Sequence, residues 1–402
     1  MKRTLSFSER RPAALVVTGT CLVAATYGLV RLAYGLFLPD VSASLDLSDR
    51  LAGWTSSAAS LSYCVGALLG LGADRAPRLV VAGALATGAV GSAGMALAPD
   101  RGWFAALAVL GSAGAGLASP GLVGLVDRVV PAADRPRAQA VVNSGTGPGL
   151  VAAGVLALVL LPDWRLGFAV SAGLTVLAGA GVLLVAGRGA TYAAAASGPA
   201  AVRRTAPPVG RLREGRGESW RFVVALAAPA VGALGLGAAS AAVWTYGRTL
   251  LVAEGAGATG STVGWIAIGV GGALTVVTAG VLGALRPQVA WGATVLAVAA
   301  VLAVLAVAAR QLPVAVGACA VFGWAFVAAT SALIAWAAEV RPERAAAGTA
   351  LLFVTLVLGQ AVGSAVVGEI AARADLAVGF GVAAGTAALA AAAGLRGRRA
   401  RG

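Results

Sequence analysis

Apolar runs of bilayer-crossing length, almost free of charge, follow one another along this chain from Pro12 to the stretch before Arg396. Nothing constrains its fold more, because crossing a hydrocarbon core as a helix takes about 20 consecutive apolar residues. The runs fall at 13–38, 51–72, 79–99, 102–126, 139–161, 165–187, 221–248, 261–285, 288–309, 312–338, 345–369 and 376–395. Glycine and proline inside them do not argue against helix, since membrane helices tolerate both. Composition closes the alternative: 59% of the 402 residues are apolar and 11% charged, against about 25% charged in a soluble domain. The expectation is an all-α integral membrane protein of twelve spans. Its first run, about 25 residues long and containing Arg31, does not fit a cleaved signal peptide.

Charge then sets topology. Of 30 cations, 29 are arginine, and with the N-terminus inside 23 fall on cytoplasmic segments against five outside (Arg50, Arg101, Arg165, Arg310 and Arg373). That bias follows the positive-inside rule, places both termini in the cytoplasm, and explains the net charge of +14 without nucleic acid. Trp54, Trp103, Trp164 and Trp265 fall at outer span ends, Trp220 and Trp291 at inner ones, as an interfacial belt would. Histidine is absent, which removes imidazole catalysis, imidazole metal ligands and imidazole proton relays together. Cys21, Cys64 and Cys319 all lie within spans and read as small packing residues, not as a disulfide framework or metal site.

The long basic segment 188–220, rich in Ala, Gly, Pro and Arg, reads as a cytoplasmic linker between a half at 1–187 and a half at 221–402. The halves repeat. Gly53-Trp54 recurs as Gly264-Trp265, and Gly72 and Arg75 recur as Gly283 and Arg286, each 211 residues on. Asp163, Gly167 and Phe168 recur as Asp375, Gly379 and Phe380 at an offset of 212. A parallel six-plus-six duplication is a transporter arrangement, with the substrate site between the halves near mid-membrane.

The loop after the second span reads 70-GLGADRAPR-78. Here the chain resembles the major facilitator superfamily, whose signature at that loop is G-x-x-x-D-R-x-G-R-[RK]. Gly70, Asp74, Arg75 and Arg78 match; Pro77 stands for the second glycine and Leu79 for the last basic residue. The resemblance extends over essentially the whole chain. It implies two pseudo-symmetric six-helix halves that rock around a central site, with Asp74 and Arg75 helping to hold the cytoplasmic side shut. A role confined to topology is the alternative for Arg75 and Arg78. Gly147-Pro148 and Gly154 loosely resemble the span-5 motif of the family's antiporters, although Ala153 breaks its terminal glycine pair. Gly145, Gly147 and Gly149 would let helices approach and Pro148 would bend the span. The fourth span lacks the arginine that many proton-coupled members carry there, and no Asp or Glu lies deep in any span.

Arg31 lies nine residues before Asp40, hence about 13 Å below the outer boundary at 1.5 Å per residue. It must face the bundle interior or water, because an arginine at the centre of a span costs about 2.5–3.5 kcal/mol even on insertion scales. Tyr27 and Tyr34, at i−4 and i+3, share its face and offer cation–π contact. Either Arg31 binds an anionic or strongly polar substrate group, or it snorkels or binds backbone carbonyls. Trp244 and Arg248 form a second i, i+4 pair; by the repeat Arg31 corresponds to Ala242, so Arg248 is not its mate and suits an outer gate or snorkelling. Asn143 and Gln360 are amides in apolar spans, fit for interhelical hydrogen bonds or substrate contact.

These residues imply a secondary active transporter of a bacterial plasma membrane, moving a small organic solute by alternating access. Export is the favoured direction; uptake of an organic anion by a permease or facilitator is the alternative. The partners expected are that solute, a proton or other coupling ion and the lipid bilayer, with the chain working as a monomer. No cofactor, metal or nucleic acid is expected, and no nucleotide-binding fingerprint is present. A polytopic enzyme lacks clustered carboxylates or a nucleophile–base pair here, and a receptor lacks a sizeable soluble sensing domain.

Overall fold

The computed structural model describes residues 7–72, 75–196 and 222–393. Within them α1 joins Phe7–Val23, a π-helical stretch Ala24–Leu32, and Ala33–Leu45. Then come α2 (Asp49–Gly72), α3 (Pro77–Ala96), α4 (Arg101–Val129), α5 (Arg135–Asn143 joined to Thr146–Leu160) and α6 (Trp164–Ala196). The second half comprises α7 (Ala227–Ala253), α8 (Ala258–Ala284), α9 (Pro287–Ala308), α10 (Leu312–Val340), α11 (Ala345–Ala371) and α12 (Leu376–Ala391). Ten of these are long and apolar enough to cross a membrane. The other two are α2, which carries four serines, and the 16-residue α12.

Each half packs first on itself: α4 lies against α2 and α3, and α10 against α8 and α9. Between the halves α1 meets α7, α2 meets α11, and α5 meets α8. If α1–α6 map onto α7–α12, the pairing α2·α11 becomes α8·α5, so the interface obeys the duplication read from the sequence. The repeated aspartates have one structural task. Asp163 Oδ1 accepts from Leu166 N at 3.1 Å and Asp375 Oδ1 from Val378 N at 2.8 Å, each capping the first turn of the last helix of its half.

Three expectations need correction. The first span does not end at 38: α1 continues to Leu45, so Asp40 belongs to the bundle. The tryptophan belt holds for Trp54 and Trp103, which are exposed, but Trp164, Trp265 and Trp291 are buried packing residues. Trp291 Nε1 donates to Ala390 O at 3.2 Å, an interhelical bond between α9 and α12. The segment placed at 188–220 as linker begins as helix, because α6 runs on to Ala196; residues 197–220 lie outside the described residues.

The break in α5 at Ser144–Gly145 has a local cause. Pro148 has no N–H to give to the carbonyl of Ser144, four residues earlier, and Gly147 N bonds that oxygen instead at 3.2 Å. Gly145 and Gly149 lie directly on α1, where an added methyl would overlap the carbonyls of Thr20 and Ala24. Gly147 faces open space, so of the three glycines expected to admit a close neighbour it is the one that does not.

Candidate functional site

One face of α2 organises the contact between the halves. Gly53, Ser56, Ser60 and Tyr63 recur at spacings of three and four, which puts them in one stripe along the helix. At its α1–α2 turn the bundle is ion-paired. Glu369 of α11 meets Arg50 at 3.2 Å and Arg373 at 3.1 Å, and accepts from Trp54 Nε1 at 3.1 Å. Tyr246 of α7 donates to Asp49 O at 2.7 Å. Gly53 lets the backbones of α2 and α11 touch at Ser364 and Gly368, and Gly35 does the same for α1 and α7 at Trp244 O. Beside them Arg248 is closed in, its side chain 1% exposed, and pairs with Asp40 across the halves. It also donates to Leu36 O at 2.7 Å and Ser261 Oγ at 3.1 Å. Arg248 therefore does not snorkel; α1 supplies its counter-ion.

A layer deeper, three hydroxyls close on one another. Ser56 Oγ lies 2.8 Å from Thr245 Oγ1 and 3.0 Å from Ser364 Oγ, and these two lie 3.2 Å apart. The triangle stitches α2, α7 and α11 together.

Arg31 occupies the next layer, in the π-helical stretch of α1. π-Helical turns are rare and concentrate at functional sites. Its guanidinium donates to Gln360 Oε1 of α11 at 3.1 Å and to Ser60 Oγ of α2 at 3.4 Å. Its Cζ sits 4.5 Å from the ring centroid of Tyr63. Among the described residues no carboxylate is one of its partners. The cavity beside it is small in this conformation, about 40 Å³, and its lining includes Arg31, Ser60, Ser112, Trp244 and Gln360. Among the described residues no Asp or Glu lines it.

The aromatic partners differ from those expected. Tyr63 of α2, not Tyr27 or Tyr34, holds the guanidinium. Tyr27 serves through Tyr63: their hydroxyls hydrogen-bond and their rings meet edge to face at 5.6 Å. Tyr34 lines the cavity but spends its hydroxyl on Ala52 O at 2.9 Å and stacks on Phe104. Trp244 lines the cavity from α7 and is held edge-on by Trp265, Phe322 and Phe326.

Gln360 thus joins Arg31, whereas Asn143 does not. Asn143 is exposed at the break in α5 and accepts from Ser119 Oγ at 3.4 Å. Of the loop motif, Asp74 lies outside the described residues. Gly70 packs under Pro120, Arg75 is exposed, and the exposed Arg78 reaches back to lie against Gly187 of α6. Sequence reasoning missed Asp40, Ser60, Tyr63, Ser112 and the hydroxyl triangle. A polar stripe in a span was the available signal for the α2 members; Ser112 and Thr245 carry none.

The family model described as Major Facilitator Superfamily matches residues 20–285. No curated protein sequence matches the chain. Among solved structures it is similar to the nucleoside transporter NupG, at a TM-score of 0.75 and 16% identity over 96% of this chain and 98% of that one. The peptide transporter POT gives 0.73 and 15%, covering 97% and 94%. A bacterial homolog of the human lysosomal transporter Spinster, inward-facing and unoccupied, gives 0.65 and 16%, covering 98% of each.

Proposed function

Because the chain belongs to the major facilitator superfamily, we propose that it carries a small organic anion across a bacterial plasma membrane, with Arg31 as the group that binds the anionic end. That it is a secondary transporter of a small solute, and not an enzyme, follows from the family. The observation that supports the finer reading is a fixed cation between the halves, at a cavity, with no carboxylate beside it among the described residues. A guanidinium presents a planar fork of donors suited to carboxylate or phosphate. Ser60 and Gln360 hold that fork in place as neutral acceptors, so its charge is left for the cargo.

We take the cation bias to put the termini and the short Arg-bearing loops in the cytoplasm, with the two halves joined by the basic segment that follows Ala196. On that orientation the ion-paired end faces outward, and we take its contacts to close the cavity on that side. Alternating access would exchange the Asp40–Arg248 and Glu369 contacts for ones at the loop carrying Asp74 and Arg75, with the break at Ser144–Gly145, which Pro148 causes, letting α5 flex. Export is the direction proposed. An inside-negative membrane drives an anion outward by about 2.3 kcal/mol per charge per 100 mV, and among the described residues no carboxylate lines the cavity to bring in a proton with it.

Flux in proteoliposomes tests this, with wild type beside Arg31→Ala and Arg31→Lys and organic anions beside matched neutral and cationic solutes. The expected result is saturable movement of unmodified anion, speeded by a potential negative on the side it leaves and abolished in Arg31→Ala. Preference for cations, conversion of the solute, or flux indifferent to Arg31 overturns it; anion flux that only an inward proton gradient drives would make the protein an uptake permease.

A further inference from the structure

We propose that the cavity beside Arg31 selects a monoanion with an apolar body and a second hydrogen-bond acceptor, and that it rejects the corresponding zwitterions. This deepens the reading of Arg31 as the anion site and rests on it. The charge of the lining is the first observation. It holds one cation and, among the described residues, no carboxylate, while its remaining polar groups are hydroxyls, one amide and one indole. An ammonium group brought in with a carboxylate would sit in a low-dielectric space near Arg31 with no anion to neutralise it, and an unpaired buried charge is strongly disfavoured.

Unspent hydrogen-bonding capacity is the second observation. Ser112 Oγ and Trp244 Nε1 are buried and have no hydrogen-bond partner among the described residues, although both residues line the cavity. The indole N–H can only donate. A buried donor left unpaired loses its hydration without compensation, so the site is completed by an acceptor brought from outside. Gln360 adds to the same sign: its Oε1 is taken by Arg31, which leaves the Nε2 amide as a donor. The hydroxyls of Ser56, Thr245 and Ser364, by contrast, satisfy one another and offer little to a ligand.

Shape comes from the apolar remainder. Val30, Leu32, Ala59, Ala108 and Ala241 line the space between the polar groups. Trp244 closes one wall, braced by three aromatic neighbours, and presents a rigid flat surface. A ligand with carboxylate at Arg31, a ring or alkyl body along the alanines, and an ether, carbonyl or hydroxyl oxygen for Trp244 or Ser112 would use every feature.

Thermal stabilisation of the purified full chain reads this out, since a ligand bound only by the folded state raises Tm. The probes share one skeleton: 3-phenylpropionate as the monoanion, phenylalanine as its zwitterion, 3-phenylpropanamide as its neutral form. Phenylpyruvate and 3-benzoylpropionate add a keto oxygen at two distances from the carboxylate. The expected order puts at least one keto acid above 3-phenylpropionate, and phenylalanine at least about tenfold weaker than 3-phenylpropionate, a gap worth 1.4 kcal/mol. Ser112→Ala or Trp244→Phe should narrow the keto-acid advantage, the second keeping the aromatic wall while removing the N–H. Equal binding of phenylalanine and 3-phenylpropionate overturns the inference and leaves the anion reading standing. Equal binding of the amide, or anion shifts that persist in Arg31→Ala, overturns the anion reading itself. Absence of a saturable shift with every anion overturns both.

Discussion

Asp40 and Arg248 form the ion pair most deeply enclosed among those described, with side-chain exposures of 16% and 1%. Removing one partner of such a pair strands the other, at a cost of about 3–5 kcal/mol, while replacing both with apolar residues of similar volume is often neutral. Arg248→Met alone should therefore lower Tm sharply, and Asp40→Leu combined with it should recover most of the loss. A double-mutant cycle by thermal unfolding measures this; additive losses would mean the two residues do not act as a pair. At this scale the sequence was partly legible. Arg31 announced itself as a cation in an apolar run, and the structure gives it Gln360, one of the two amides singled out. The counter-ion of Arg248 was hidden because a charge-free run ends where charge begins, so Asp40 looked like the edge of a span while the helix continued to Leu45. Tyr63 was hidden because it reaches Arg31 from a different helix, and local spacing favoured Tyr27 and Tyr34.

Helix contacts set by glycine show where spacing fails as a guide. Gly28 of α1 and Gly149 of α5 meet backbone to backbone, so a methyl on Gly28 would overlap the Gly149 main chain. Overpacking a close contact costs about 1–3 kcal/mol, and Gly28→Ala should lower Tm by that measure. Gly147→Ala, on the same helix as Gly149 but facing open space, should leave Tm unchanged or raise it, because alanine is favoured over glycine in a helix by about 0.8–1.0 kcal/mol. A drop at Gly147→Ala equal to that at Gly28→Ala would mean the α1–α5 contact is not what the glycines serve. The existence and order of the helices were legible from apolar runs because lipid demands both length and apolarity. Which face of a helix meets the other half was not, since a span that is apolar all round carries no periodic contrast. Only α2, with Gly53, Ser56, Ser60 and Tyr63 in one stripe, records its interface in its sequence.

For the molecule as a whole, closure at the ion-paired end sums contributions of different kinds. Glu369 is 25% exposed in its side chain and Arg50 52%, so each of its pairs is weak and screened by salt. The backbone contacts at Gly35 and Gly53, the hydroxyl triangle and the Asp40–Arg248 pair remain when Glu369 is neutralised. Glu369→Gln should for that reason leave the folded protein nearly as stable while tilting the balance between closed and open at that end. With Ala59→Cys in the cavity and Cys21, Cys64 and Cys319 replaced by serine or alanine, a membrane-impermeant thiol reagent added from outside should label position 59 faster in Glu369→Gln than with Glu369 intact. High salt should speed labelling where Glu369 is present and do little where it is absent. Labelling unchanged by either would show that the Glu369 cluster only decorates the surface, and that the two halves are held together at this end by packing and the buried pair alone.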